Sequence, residues 1–312
     1  MPGLCCVSRN WAIRSLVLLF LCSGSFPSLA QINGQTMRGD MGVGAGSLPD
    51  PGWYGDLFYS YYDVSDVRDA DGDAIVRGTE VDNETAALTL IWVSETTVLG
   101  GNYSFLISPG WGSSRLESPV VSENETSWGL ADLYLQPVAL GWRRPRADYI
   151  AGVGVYAPIG RYDIDADDNI GLGAWSVELF GGATWYLDEA RTWSFAAVAF
   201  WETFADIEDS DQEIGEIATI KGGLGKDLGN GWNIGVAYFA QWKLNSDDLD
   251  LAAPLPLPVD DHRVYGLGPE ISWALQTGGA EVAAFNFRFL RDFGARSMTE
   301  GDTLTLSVTV PF

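Results

Sequence analysis

The chain has 312 residues, with 42 Asp and Glu against 18 Lys and Arg, a formal net charge of −24, yet it is 46% hydrophobic and 12% aromatic. That apolar content excludes an unfolded polyanion, and the shortage of Lys and Arg argues against nucleic acid as a partner. All three cysteines (Cys5, Cys6, Cys22) fall in the first 22 residues and His262 is the single histidine. The body of the chain therefore holds no disulfide, thiolate nucleophile or zinc-thiolate centre, and no chemistry that needs two histidines.

In chain order, residues 1–30 read as a secretory signal peptide. Arg9 and Arg14 supply the positive start, residues 16–21 (LVLLFL) the apolar stretch, and Ser28-Leu29-Ala30 the small residues before a cut at Gln31. The apolar run is far short of the ~20 residues that span a bilayer. Residues 31–52 follow as a Gly/Pro-rich leader ending in Leu48-Pro49-Asp50-Pro51-Gly52, a periplasmic or plug-like segment with no core of its own.

From Trp53 onward the sequence alternates with a period of two. About 12 strands are expected, near 53–62, 84–95, 99–109, 127–141, 148–157, 171–187, 192–205, 215–227, 232–244, 263–275, 280–292 and 302–312. The last is the clearest: Leu304, Leu306, Val308, Val310 and Phe312 share one face, with Thr303, Thr305, Ser307 and Thr309 opposite.

A soluble sandwich also alternates, so three further features decide. Aromatics mark the ends of apolar faces, as in Trp175 with Trp185 and Trp193 with Trp201, which suits two bilayer interfaces. Short connections (96–99, 142–147, 188–191, 228–231, 276–279) alternate with long ones (63–82, 110–125, 162–169, 206–214, 245–262, 294–301). Finally, the last strand runs to Phe312, as expected of a strand that pairs with the first. The expected fold is all-β: a transmembrane antiparallel β-barrel of the outer-membrane type over residues 53–312. Length alone would have allowed two domains.

Several stretches resemble a known family: the Leu48–Gly52 run, GLADLYLQP (129–137), GVGVYAPIGRY (152–162), Asn169-Ile170-Gly171 with Trp175, and GVAYFAQ (235–241). The chain resembles the outer-membrane transporter family of the meta-pathway of phenol degradation, which also includes sphingosine-inducible outer-membrane proteins, from about Leu48 to Phe312. It departs from the family pattern at Leu172-Gly173-Ala174. The resemblance implies a barrel in the bacterial outer membrane that passes hydrophobic or aromatic compounds, and no enzymatic activity.

Charges cost too much on a lipid face, about 2–4 kcal/mol for a midplane Arg or Lys, so polar strand residues must line the lumen. The candidates are Asp56, Asp132, Tyr134, Gln136, Glu178, Glu202, Lys221, Gln241, Lys243, Glu270, Asn286 and Arg288. They either border a permeation path or form an ion-pair ladder that fills the bore; Phe200, Phe239 and Tyr134 would suit an aromatic solute. The long loops are acidic, and could bind divalent cations that bridge them to lipopolysaccharide. One of them, Asp69, Asp71 and Asp73 with Glu80 at the twelfth position, matches the carboxylate spacing of a calcium loop, though Ala74 stands where that loop needs Gly. His262 beside Asp260 and Asp261 lacks a nucleophile setting. The expected function is passive uptake of a small hydrophobic or aromatic solute. The alternative is a plugged structural or adhesin-like barrel whose acidic loops bind cations or partners. Expected partners are outer-membrane lipid, lipopolysaccharide and, through Phe312, the barrel-assembly machinery. No cofactor is expected apart from calcium.

Overall fold

The computed structural model describes residues 34–75, 80–117, 124–164, 166, 169–210, 212–247 and 262–312. The expected signal peptide and much of the acidic loops, including Asp165, Asp167, Asp168, Asp211, Asp248, Asp250, Asp260 and Asp261, lie outside these residues.

The strands among them are β1 (Gly52–Val67), β2 (Glu80–Val98), β3 (Gly101–Ser108), β4 (Gly110–Glu117), β5 (Asn124–Leu130), β6 (Leu133–Arg144), β7 (Ala147–Ala157), β8 (Ser176–Tyr186), β9 (Trp193–Phe204), β10 (Ile217–Gly229), β11 (Trp232–Lys243), β12 (Arg263–Thr277), β13 (Ala280–Arg296) and β14 (Thr299–Pro311). β2 pairs with β3 along its second half and with β4 along its first. β4 in turn pairs with β5, and β3 with β6. So β3 with β4, and β5 with β6, are two interrupted staves, and the ring has 12 antiparallel staves. β1 closes it by pairing with both β2 and β14, and the Phe312 amide donates to Trp53 O.

Closure follows from lipid chemistry, because a strand with no neighbour would leave backbone N–H and C=O groups with neither water nor partner. The alternation in sequence then sets which side faces out. On β9, Trp193 and Phe195 are exposed while Ser194, Ala196, Val198, Phe200 and Glu202 are buried. On β8, with Trp175 just before it, Trp175, Val177, Leu179 and Trp185 point outward and Ser176, Glu178, Phe180 and Thr184 inward. Exposed apolar side chains in this number form a continuous band that suits hydrocarbon rather than water.

Two aromatic girdles bound the band. On the short-turn side Trp53, Trp92 and Tyr103 meet at 6.0 and 5.9 Å, and Trp232, Trp273 and Phe285 at 5.6 and 5.7 Å. On the long-loop side Trp242, Tyr265 and Phe293 meet at 5.9 and 5.8 Å. The eight steps from Trp193 to Trp201 cover ~26 Å along the strand, or roughly 20 Å across a membrane at a tilt of ~40°.

The hairpin turns are tight. Leu99-Gly100, Gly229-Asn230-Gly231 and Gly278-Gly279 all adopt positive φ, as such turns require. In the β8–β9 turn the Asp188 carboxyl accepts from the Trp193 amide and the Thr192 hydroxyl. These bonds hold it below the usual carboxylate range.

Three expected loops are corrected. The stretch 110–125 is largely strand, as β4 and the start of β5. Pro109, which has no N–H to give the ladder, suggests an end but only interrupts the stave. The stretch 294–301 is a two-residue turn, Ser297-Met298, between β13 and β14. Gly294 (φ 65) gives the signal of a loop there, but it sits inside a strand that continues to Arg296. The stretch 63–82 is shortened at both ends by β1 and β2.

The outward face is testable. Val236, 42% exposed at the middle of β11, should lose about 2–4 kcal/mol of stability in lipid vesicles when changed to Arg, by urea unfolding. A cost near zero would contradict the assigned lipid face.

Candidate functional site

The lumen is not left to side chains of the wall alone. Residues 34–50 pass through it, bonding to β1 and to the wall from β6 round to β14. Gln35 reaches Asp132, its amide donating at 2.6 Å, and Glu202 through its backbone N–H at 3.1 Å. The Thr36 hydroxyl lies 2.9 Å from both Glu178 and Glu202, which are cross-strand neighbours. Arg38 pairs with Asp292 at 3.0 Å and donates to Tyr62 at 2.7 Å, over the faces of Tyr62 and Phe239. Asp40 takes two bonds from Lys221, at 2.8 and 2.9 Å. Gly39 O accepts from Arg288 and Thr305, and the Val43 amide donates to Glu270 at 2.9 Å. Toward the short-turn end Ser47 donates to Asp148, and Arg143 pairs with Asp50. A segment that touches β1, β6, β9, β10, β11, β12, β13 and β14 lies inside the ring.

The leader is Gly-rich because space here is short. A Cβ on Gly46 would stand 2.1 Å from the Ala183 backbone, and one on Gly42 1.9 Å from Glu270 Oε2. The wall yields in the same way: Gly225 and Gly235 leave room for Val43, and Gly141 for Leu48. Apolar contact adds to the polar set, with Met41, Ala45 and Leu48 packed on Ala139, Ile150, Phe180, Val198 and Phe200.

All the lumen candidates point inward. Asp132, Gln136, Glu178, Glu202, Lys221, Gln241, Glu270 and Arg288 are buried. Asp56 accepts from Thr309, and Tyr134 donates to Glu178. Glu270 and Arg288 form a two-point pair that Asn286 joins at 2.8 Å. Gln241 accepts from Arg38. Lys243 stands apart from the leader, paired with Asp247 near the long-loop end. Asp132 fills the break between β5 and β6: it accepts from the Gly160 and Leu172 amides and so ties the β7–β8 connection to the wall. Sequence reasoning missed the leader's side of these pairs (Gln35, Thr36, Arg38, Asp40) and the wall residues Tyr62, Asp148 and Asp292. An Arg and an Asp in an otherwise Gly-rich segment were the available signal.

The calcium candidates are placed only in part. Asp69 Oδ1 accepts from the Asp71 and Asp73 amides, both at 2.9 Å, so this carboxylate caps its own turn. Asp71 and Asp73 are exposed, and the Glu80 side chain lies outside the described residues. His262 is buried, its carbonyl accepting from the Lys243 amide.

Beside the leader a cavity of about 500 Å³ remains. It follows β1 from Asp56 to Tyr62, some 20 Å of strand. One wall is hydroxyl and amide: Ser60, Asn83, Thr85, Thr89, Ser108 and Ser113. The other is aromatic and thioether: Phe180, Phe200, Tyr134, Tyr156, Met37 and Met41. At Gly110 and Ala131 it reaches the breaks in the two interrupted staves, where the Ala131 amide bonds Gly110 O.

A family profile described as "Putative MetA-pathway of phenol degradation" matches residues 65–308. Among solved structures, the chain is similar to an outer membrane channel from Pseudomonas putida F1, with TM-score 0.73 and 18% identity over 89% of this chain and 100% of that one. It is also similar to the beta domain of a Bordetella autotransporter, BrkA, with TM-score 0.52 and 14% identity over 84% of this chain and 100% of that one. No curated protein matches it in sequence.

The Lys221–Asp40 pair gives a test of the leader's anchoring. Lys221 Nζ is almost wholly buried, its side chain 2% exposed. Asp40→Asn strands that charge, at about 3–5 kcal/mol, and should free the leader. Trypsin added to refolded barrels should cut the variant within residues 34–50 at least ~10-fold faster than the parent. Equal rates would contradict the anchoring role.

Proposed function

This chain belongs to the MetA-pathway of phenol degradation family, and from that premise we propose that it is a bacterial outer-membrane channel for passive uptake of small hydrophobic or aromatic molecules. The observation that carries the reading is the two-sided cavity beside the leader. An aromatic ring or short apolar body lies against Phe180, Phe200 and the two methionines, while a hydroxyl finds partners on the Ser and Thr wall. Aromatic pairing of this kind contributes ~0.5–1.5 kcal/mol per contact, enough to favour entry and weak enough to let the solute leave. The solute moves down its gradient, with no coupled energy source.

Ten of the twelve inward polar residues then have two tasks. Glu202, Lys221, Gln241, Glu270 and Arg288 hold the leader against the far wall. Asp56, Asp132, Tyr134, Gln136 and Glu178 border the passage that this leaves. The acidic loops, with calcium at Asp69, Asp71, Asp73 and Glu80, meet lipopolysaccharide, and Phe312, 74% exposed, offers its ring to the barrel-assembly machinery.

A second reading, a plugged structural barrel, is favoured by the number of leader contacts. Planar-bilayer recording separates the two. The channel gives discrete steps for the refolded chain, and p-cresol reduces the current by occupying the cavity. Phe200→Ser should weaken that block ~5-fold, the equivalent of about 1 kcal/mol. Absence of steps, or block unaffected by Phe200→Ser, contradicts the proposal; absence of steps favours the plugged barrel.

A further inference from the structure

The cavity is unbalanced in charge. Five carboxylates border it, Asp40, Asp56, Glu84, Asp132 and Glu178; Asp40 is taken by Lys221, and three, Asp56, Asp132 and Glu178, are met by neutral donors. Asp56 accepts from the Thr309 hydroxyl at 2.6 Å. Asp132 accepts from the Gln35 side chain and from the Gly160 and Leu172 amides. Glu178 accepts from the hydroxyls of Thr36 and Tyr134, both at 2.9 Å. None of the three forms an ion pair among the described residues.

The cations that could offset them are committed elsewhere. Arg38, which also borders the cavity, pairs with Asp292 at 3.0 Å. Lys221 is bound by both oxygens of Asp40, though its charge also reaches Glu178, and Arg288 by both oxygens of Glu270. Ion pairs of this kind leave little residual field, whereas carboxylates held by hydroxyls and amides keep theirs. In a narrow, low-dielectric passage such a field acts on any charged solute over several ångströms.

We propose that the passage selects its solute by charge: it takes neutral phenols and cationic aromatic amines and rejects aromatic carboxylates of the same shape. The inference rests on the channel reading above and gives that channel a substrate class. A phenol or amine can donate a hydrogen bond to Asp56 or Glu178. A carboxylate cannot, and among the described residues that border the cavity the one cation, Arg38, is already paired with Asp292.

Bi-ionic reversal potentials across a planar bilayer test this with the refolded full chain, using benzylammonium chloride on one side and sodium benzoate on the other in separate paired runs against sodium chloride. The expected result is a benzylammonium-to-benzoate permeability ratio of ~10, falling several-fold in Asp56→Asn. Asp56 has one side-chain partner and no leader contact, so this variant keeps the lumen scaffold; Glu178→Gln gives an independent second reading. A ratio at or below 1, or a ratio unchanged in both variants, overturns the charge selection while the conducting steps leave the channel standing. No current with any ion overturns the channel reading and the selection with it.

Discussion

A lysine buried in the wall of a lipid-embedded barrel must be neutralised, and here the neutralising carboxylate comes from outside the wall. Lys221 sits on β10 with its ammonium over Phe200 and both oxygens of Asp40 upon it. The outer face cannot help, since it meets hydrocarbon, and the neighbouring inward positions on β9 and β11 are apolar, Val198 and Phe239. The same logic recurs at Asp292, whose side chain is fully buried and is met by Arg38. Folding the barrel and seating the leader are therefore one event in charge terms: removing the leader's partner leaves a buried ion, Lys221 or Asp292, uncompensated.

From that constraint follows the shape of the lumen. The leader is drawn to the side of β8 to β14, where Glu202, Lys221, Glu270 and Arg288 stand. Its Gly positions let it lie almost against the backbone at Ala183. The opposite side, formed by β1, β2 and β4, carries small hydroxyl residues and has no charged partner for the leader. The space is left there, bounded by the leader's methionines and the aromatic residues of β6 to β9. The passage is thus what remains when a 12-stave ring satisfies its buried charges asymmetrically, and its acidic character comes from carboxylates that the leader reaches only through neutral groups or, at Asp56, not at all.

Much of this was legible in the sequence because lipid imposes a simple code. The alternation in β14, from Thr303 to Phe312, is enough to name both its faces, and the cost of charge in hydrocarbon then assigns every polar partner to the lumen. The paired aromatics Trp193 and Trp201 gave the span. The difficulties arose where two physical rules compete. Pro109 and Gly294 are turn residues by local chemistry, but Pro109 only separates β3 from β4 within one stave and Gly294 sits inside β13. The leader's role was harder to read. Asp40 and Lys221 are 181 residues apart, and a Gly-rich segment has no periodicity to show which face it presents or what it meets. Arg38 and Asp40 lie within a stretch that looks like linker, and only the ring of inward charges around them gives them partners.

The central claim is that solute passes beside a seated leader, not through the space the leader vacates. Val43 stands against Gly225, where a Cβ would meet the Val43 and Asn233 side chains and no backbone atom within 3 Å, so Val43→Cys with Gly225→Cys places a tether at the middle of the leader. The native cysteines all fall within the first 22 residues and do not compete in a chain refolded from Gln31. Single-channel recording of the oxidised double variant should show the same step conductance and the same p-cresol block as the parent, unchanged when reductant is added. Loss of current on oxidation, restored by reductant, would contradict the account, because it would mean that the leader must leave before anything passes.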